Sequence, residues 1–172
     1  MALAWALERP DETAALVLLA AASNPWEGDL GPLYQVNSSR LGSALVIPLI
    51  TAFAPRSVVE QTVSTIFEPQ DVPGGYLAHF GPQMTLRRDT MRANAQQVNG
   101  LRPFIVEMSQ QYHTMRMPVE ILHGTDDTIV PLDVHSVPLS NQIDSAVLPR
   151  LEGVGHMPQH VSTDAVLAAI AR

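Results

Sequence analysis

The sequence contains no cysteine. This absence excludes disulfide bonds and thiolate metal sites, and it gives no evidence about the redox compartment. No apolar run reaches the roughly 18 residues that a membrane-spanning helix needs. The first residues also lack the basic start and the cleavage site of a signal peptide. We therefore expect a cytoplasmic protein with no membrane partner.

Positive charge is scarce as well. The chain has 10 Lys and Arg residues against 17 Asp and Glu residues, which gives a formal net charge of −7. Proteins that bind nucleic acid need clustered Lys and Arg to neutralise phosphates, and no stretch of this sequence supplies such a cluster. The composition therefore predicts no nucleic-acid partner.

What the chain does have is enough apolar sequence for a core. Its 172 residues are 46% hydrophobic, which suits one folded domain. Three segments have the character of strands: residues 13–22 (TAALVLLAAA), 117–124 (MPVEILHG) and 145–153 (SAVLPRLEG). A continuous apolar run such as the first is typical of a strand buried on both faces, although a buried helix has the same pattern.

The segments around these strands favour helices. Residues 2–8 (ALAWALE) are strong helix formers, and residues 162–172 (STDAVLAAIAR) form an amphipathic helix that Ser162 caps. Residues 23–115 have helical spacing and no strand signal; we expect Pro48 to interrupt one of their helices and Gly100 to end another. The alternation predicts an α/β fold with a parallel sheet of about three strands and a helical insertion.

Ionisable residues follow two of the predicted strands. Asp126 and Asp127 lie in HGTDD after one strand, and His156 lies in EGVGHM after the next. The carboxyl ends of parallel strands meet at one edge of the sheet, where sites form. A carboxylate there can fix the tautomer of the imidazole and stabilise its protonated form, and the imidazole can act as a general base.

Both turns resemble the C-terminal half of an α/β-hydrolase. In that family a G-x-x-D turn supplies the catalytic acid and a G-x-G-H turn supplies the base, which the resemblance places at Asp127 and His156. Asp126 is one position too early for the acid. The first 22 residues resemble the helix behind the nucleophile elbow followed by the sixth strand. The resemblance thus implies an incomplete hydrolase core at 1–22 and 116–172 and a cap at 23–115.

The nucleophile of the family is not in this sequence. It sits in a G-x-S-x-G turn, and the 172 residues contain no such motif. We expect that the elbow and the first five strands lie upstream, since Met1 falls inside what reads as a helix. Ser43 in LGSAL lies in the insertion and lacks the elbow glycines. Family members with an Asp nucleophile, such as dehalogenases and epoxide hydrolases, remain open.

Each candidate also has a simpler interpretation. Asp is common in turns, so the simpler interpretation of Asp127 is a turn residue without a catalytic role. His123 is expected to be a core or turn histidine. His156 and His160 have helical metal-ligand spacing, but Pro158 lies between them and no third ligand is near, so we expect no metal site. Weak candidates for substrate contacts are Ile129, Val130 and Met157, which flank the site, and Trp26 in the insertion, with core packing as the alternative.

The resemblance implies a cofactor-free, esterase-like hydrolase of the Ser-His-Asp type that acts, in the complete protein, on a small apolar ester-like substrate. The chain as given carries the acid and the base without the nucleophile, so we expect it to be inactive alone. The alternative is a non-catalytic interaction protein that retained the second half of the fold. In either case the first strand would have an open edge, which predicts self-association.

Overall fold

The computed structural model describes residues 1–28, 39–53, 55–81 and 86–172. The strands within these ranges are β1 (Leu16–Leu19), β2 (Val119–Gly124), β3 (Ala146–Val147) and β4 (Arg150–Leu151). The α-helices there are α1 (Ala2–Glu8), α2 (Arg40–Phe53), α3 (Arg56–Phe67), α4 (Tyr76–Phe80), α5 (Arg88–Ser109), α6 (Ser136–Gln142), α7 (Pro158–Val161) and α8 (Thr163–Ile170). Short 3₁₀ turns occupy Pro10–Glu12 and Tyr112–Thr114.

The sheet is parallel, as predicted. β1 pairs with β2 in the register Leu16 to Val119, and β3 and β4 both pair with the other side of β2. There are four strands in the described residues and not three, because the segment predicted as one strand at 145–153 is divided into β3 and β4. Pro149 lies between the two, and proline has no N–H to donate to the ladder.

The sheet core explains the continuous apolar runs. Leu16 and Leu18 of β1 are buried, and all of β2 except Glu120 is buried. A strand of a parallel sheet packs against other layers on both faces, so it needs apolar side chains at most positions and not at alternate ones. The main core cluster contains Leu3, Ala6, Leu16, Leu18, Tyr112, Met115, Met117, Val119, Ile121, Leu139 and Ile143.

The chain divides into two compact units. The first contains Met1–Trp26, Thr65–Asp71 and Phe104–Arg172, and the second contains Glu27–Ser64 and Val72–Pro103. These bounds differ from the predicted insertion at 23–115, since residues 23–26, 65–71 and 104–115 belong to the first unit. At the C-terminal end of the predicted insertion the difference has a physical cause, because Tyr112 and Met115 are part of the sheet core. That the second unit is a cap stays a prediction.

The described part of the second unit is mainly helical, with Ile47, Val63 and Ala95 buried. Two predicted helix breaks were wrong. α2 continues through Pro48, and α5 continues through both Gly100 and Pro103. Gly100 does not adopt the left-handed conformation by which a glycine ends a helix. The side chain of Ser43 lies outside the described part of the structure.

Across the described ranges, none of the helices is both long enough and apolar enough to cross a membrane.

Candidate acid–base site

The candidate acid, Asp127, lies in the turn that follows β2, and its side chain is fully buried. Its Oδ1 atom accepts hydrogen bonds from the backbone N–H groups of Ile129 at 2.9 Å and Val130 at 2.8 Å. Its Oδ2 atom contacts Nε2 of His123 at 3.0 Å and Nδ1 of His156 at 2.8 Å. Four donors therefore converge on one carboxylate. This is how a protein holds a buried negative charge, because burial without partners would be costly.

Asp126 takes no part in this arrangement. It is exposed, and its Oδ1 atom accepts a hydrogen bond from the hydroxyl of Thr125 at 3.0 Å. Of the two neighbouring carboxylates in HGTDD, the structure therefore brings only Asp127 to His156. A catalytic role for either residue stays a prediction.

The surroundings of Asp127 favour its charged form. Burial alone raises the pKa of this carboxyl, but the hydrogen bonds from His123, His156 and the Val130 N–H, together with the charge of His156, lower it by more. The net pKa of Asp127 lies well below its usual value of 3.8. The physical cause is that these donors bond more strongly to the ionised carboxylate than to the neutral carboxyl. Asp127 is therefore an anion throughout the neutral range.

The candidate base, His156, lies in the turn after β4. A carboxylate can only accept hydrogen bonds, so Nδ1 of His156 carries the proton in the 2.8 Å contact with Asp127. The side chain is 22% exposed. No described residue makes a hydrogen bond to its Nε2 atom. The neutral ring thus presents a lone pair on Nε2, which is the form that a general base requires.

Two glycines allow the turns of the acid and the base to approach each other. A Cβ atom on Gly124, the last residue of β2, would overlap the carbonyl oxygen of Val154. A Cβ atom on Gly155 would overlap the carbonyl oxygen of Glu68. Any other residue at these two positions would push the backbone segments apart, and the distance between Asp127 and His156 depends on that backbone.

His123 was predicted to be a core or turn histidine. It is fully buried, and it also bonds to the acid. Its Nε2 atom lies 3.0 Å from Oδ2 of Asp127 and 2.7 Å from the carbonyl oxygen of Val130, and its Nδ1 atom lies 2.6 Å from the hydroxyl of Ser136. Both contacts of Nε2 are acceptors, so Nε2 carries a proton. The four-residue spacing from Asp127 was the only signal for this contact in the sequence.

Gln70 is a second residue that the sequence did not single out. Its side-chain N–H donates to the carbonyl oxygen of Gly153 at 2.6 Å, and its side-chain oxygen accepts the N–H of Gly155 at 3.0 Å. It therefore contacts the turn that carries His156, from a segment more than 80 residues earlier in the chain. A polar residue in a Pro-rich loop gives no sequence signal of such a contact.

The four weak candidates for substrate contacts have different surroundings in the structure. Ile129 and Val130 support Asp127 through their backbone N–H groups, and the side chain of Ile129 is exposed. Trp26 is partly buried and its ring makes a T-shaped contact with that of His135, and the sulfur of Met157 accepts a hydrogen bond from Gln159. Substrate contact by these side chains stays a prediction. No group of three or more metal-ligating side chains occurs in the part of the chain that the structure describes.

No protein-family model and no curated protein matches this sequence. Solved structures do resemble it. The 2-hydroxy-6-oxo-6-phenylhexa-2,4-dienoate hydrolase of Rhodococcus sp. strain RHA1 is 18% identical, with a TM-score of 0.74, and the match covers 98% of this chain and 58% of that one. A thermophilic esterase from Thermogutta terrifontis is 16% identical, with a TM-score of 0.61 and coverages of 99% and 58%.

A putative lipase from Acinetobacter baumannii AYE is 22% identical, with a TM-score of 0.62, and the match covers 99% of this chain and 56% of that one. At this identity the likeness establishes the fold. The chain spans less than three fifths of the length of each of these three structures.

Proposed function

We propose that this chain, which has part of the α/β-hydrolase fold, contributes the acid and the general base of a Ser-His-Asp hydrolase. The observation that carries the proposal is the 2.8 Å contact between Oδ2 of Asp127 and Nδ1 of His156. It leaves Nε2 of His156 without a partner among the described residues. A base held by a buried carboxylate in this way is poised to take a proton.

In the proposed reaction Nε2 of His156 removes the proton from a serine hydroxyl as that oxygen attacks the carbonyl carbon of an ester. The ring is then an imidazolium, which the negative charge of Asp127 stabilises. Nε2 next gives the proton to the departing alcohol oxygen. Asp127 stays ionised throughout, because its pKa lies well below the neutral range.

The serine comes from outside these 172 residues, which hold no G-x-S-x-G motif. The structures described above extend well beyond the part that this chain matches, which leaves room for a segment that carries the nucleophile. Two of those structures are named as an esterase and a putative lipase, and this supports a small apolar ester as the substrate class. The reaction requires no cofactor.

The test uses the reading frame upstream of the Met1 codon. A longer chain translated from that frame would be assayed with short-chain aryl esters. We expect an in-frame G-x-S-x-G motif and ester hydrolysis that is lost in His156→Ala. In Asp127→Asn the turnover should fall by a factor on the order of 10⁴, since the ring would lose the partner that fixes its tautomer.

His113→Ala is the matched control, because His113 is an exposed histidine of the same unit. It should leave turnover unchanged. A stop codon in place of the upstream frame, or hydrolysis that survives His156→Ala, would refute the proposal.

A further inference from the structure

The side-chain amide of Gln70 spans the turn in front of His156. It donates to the carbonyl oxygen of Gly153 at 2.6 Å and accepts from the N–H of Gly155 at 3.0 Å. The two contacts flank Val154 and end one residue before His156. Only a side chain with both a donor and an acceptor at its tip can make this pair of bonds, and an amide does so without a charge.

The N–H of Val154 donates to the carbonyl oxygen of Leu151 within this turn, and two further bonds come from the turn that follows β2. The hydroxyl of Thr125 accepts the N–H of Gly153 at 2.9 Å, and the N–H of Asp126 donates to the carbonyl oxygen of Val154 at 3.0 Å. These bonds tie the turn of the base to the turn of the acid. Gln70 holds the turn from a separate segment, where the backbone at Glu68 also lies against Gly155.

Placement of the His156 ring needs this support because its carboxylate partner is shared. Oδ2 of Asp127 contacts His123 as well as His156, and His123 is fully buried with two further partners. The ring of His156 is the more exposed of the two and has one partner among the described residues. Its position on Oδ2 is therefore determined mainly by the backbone of residues 153–155.

We propose that Gln70 is a positioning residue for the general base: it fixes the backbone at Gly153 and Gly155, and thereby the hydrogen bond from Nδ1 of His156 to Asp127. The catalytic meaning of this role rests on the function proposed above. The positioning itself is a property of the 172-residue chain, so it can be measured without substrate or nucleophile.

The experiment measures hydrogen exchange by NMR in the 172-residue chain. Three protons are compared: the Nδ1–H of His156, the Nε2–H of His123 and the backbone N–H of Ile121 in β2. In Gln70→Ala we expect the His156 proton to exchange about tenfold faster, since two neutral hydrogen bonds that hold its turn are lost. The His123 and Ile121 protons should keep their rates, because both residues are fully buried and the side chain of Gln70 bonds to neither.

Gln70→Glu is the second variant. It keeps an acceptor for the N–H of Gly155 but places a carboxylate against the carbonyl oxygen of Gly153, so we expect faster exchange of the His156 proton here too. It also provides a measurement if Gln70→Ala fails to fold. Gln110→Ala is the control, because Gln110 is an exposed glutamine of the same unit. All three protons should be unaffected in that variant.

If Gln70 only stabilised the fold as a whole, its replacement would speed the exchange of all three protons together, and that result would overturn the inference. So would a His156 proton whose exchange in both Gln70 variants matches that in Gln110→Ala. The two proposals fail differently. If Gln70 does not position the base, the longer chain would still hydrolyse esters and exchange would not respond. If the chain is not a hydrolase, exchange would respond and no ester would be hydrolysed.

Discussion

At the scale of single residues, Asp127 is the most tightly constrained group in the site. Both of its oxygen atoms accept two hydrogen bonds, and its side chain is fully buried. All four bonds favour the ionised form, because a carboxylate accepts hydrogen bonds more strongly than a neutral carboxyl does. Part of the free energy of unfolding therefore depends on this one carboxyl being deprotonated.

This gives a prediction about acid stability. The folded-state pKa of Asp127 is lower than its unfolded value, so its contribution is present above about pH 4 and is lost as the pH falls toward the folded pKa. We expect Asp127→Asn to lower the free energy of unfolding at pH 7 by about 2 kcal/mol or more, and by less at pH 3. Urea unfolding at both pH values measures this.

Asp126→Asn is the control for that experiment, because Asp126 is the exposed neighbour and its side chain bonds to the hydroxyl of Thr125, away from His156. Its effect should be small and the same at both pH values. A destabilisation by Asp127→Asn that does not shrink in acid would contradict the prediction.

The residues of the site differ in how visible they are in the sequence. Asp127 and His156 were found because each follows a strand in a short glycine-containing turn, which is a local pattern. His123 and Gln70 were not, because their roles arise from contacts made only once the sheet has formed. Gln70 is separated from its partners by more than 80 residues. His123 and its partner Ser136 are 13 residues apart, with a loop between them.

At the scale of elements, the close approach of β2 and the turn after β4 depends on Gly124. We predict that Gly124→Ala destabilises the fold by about 1–3 kcal/mol, because the added methyl group would overlap the carbonyl oxygen of Val154. It should also weaken the contact of Asp127 with His156. Thermal unfolding and the NMR signal of the His156 Nδ1–H measure the two effects.

Gly100→Ala is the matched control. Gly100 lies within α5, and a Cβ atom there would meet nothing within 4 Å. Alanine should be neutral or stabilising by about 0.5–1 kcal/mol in a helix. Equal destabilisation by the two substitutions would contradict a special role for Gly124.

β1 supplies another prediction at this scale. The N–H groups of Leu16 in β1 and of Ala20 just after it donate to the β2 side, so the alternation of a strand turns the N–H of Val17 to the opposite edge. No strand among the described residues pairs with that edge. We predict that the chain self-associates through it, and that Val17→Pro reduces the association by removing a donor.

Light scattering over a concentration series would measure this association. The wild-type chain should gain mass as its concentration rises, and Val17→Pro should gain less. A wild-type chain that stays monomeric and unfolds in one sharp transition would contradict the prediction.

The elements also show where sequence patterns stop being sufficient. β1 and β2 were visible because strands buried on both faces need continuous apolar sequence. Pro48 and Gly100 do not end their helices, because the cost of one such residue within a helix is small beside the packing of the whole helix. Pro149 does interrupt its strand, since it lies between β3 and β4 in the segment predicted as one strand.

At the scale of the whole molecule, we predict that the 172-residue chain does not hydrolyse esters through a triad. The base has no serine in an elbow motif to activate. The assay would use short-chain aryl esters with the purified chain and its His156→Ala variant. Turnover that disappears in the variant would show that another hydroxyl or a water molecule takes the place of the serine.

The order of contacts along the chain has a consequence for how the site forms. The acid and the base are 29 residues apart, whereas Gln70 and Gly155 are 85 apart. Closing the longer loop costs about 1 kcal/mol more entropy, because the cost grows with the logarithm of loop length. We therefore expect the turns of Asp127 and His156 to come together early in folding, and the bonds of Gln70 to form later and fix the ring of His156 on its carboxylate.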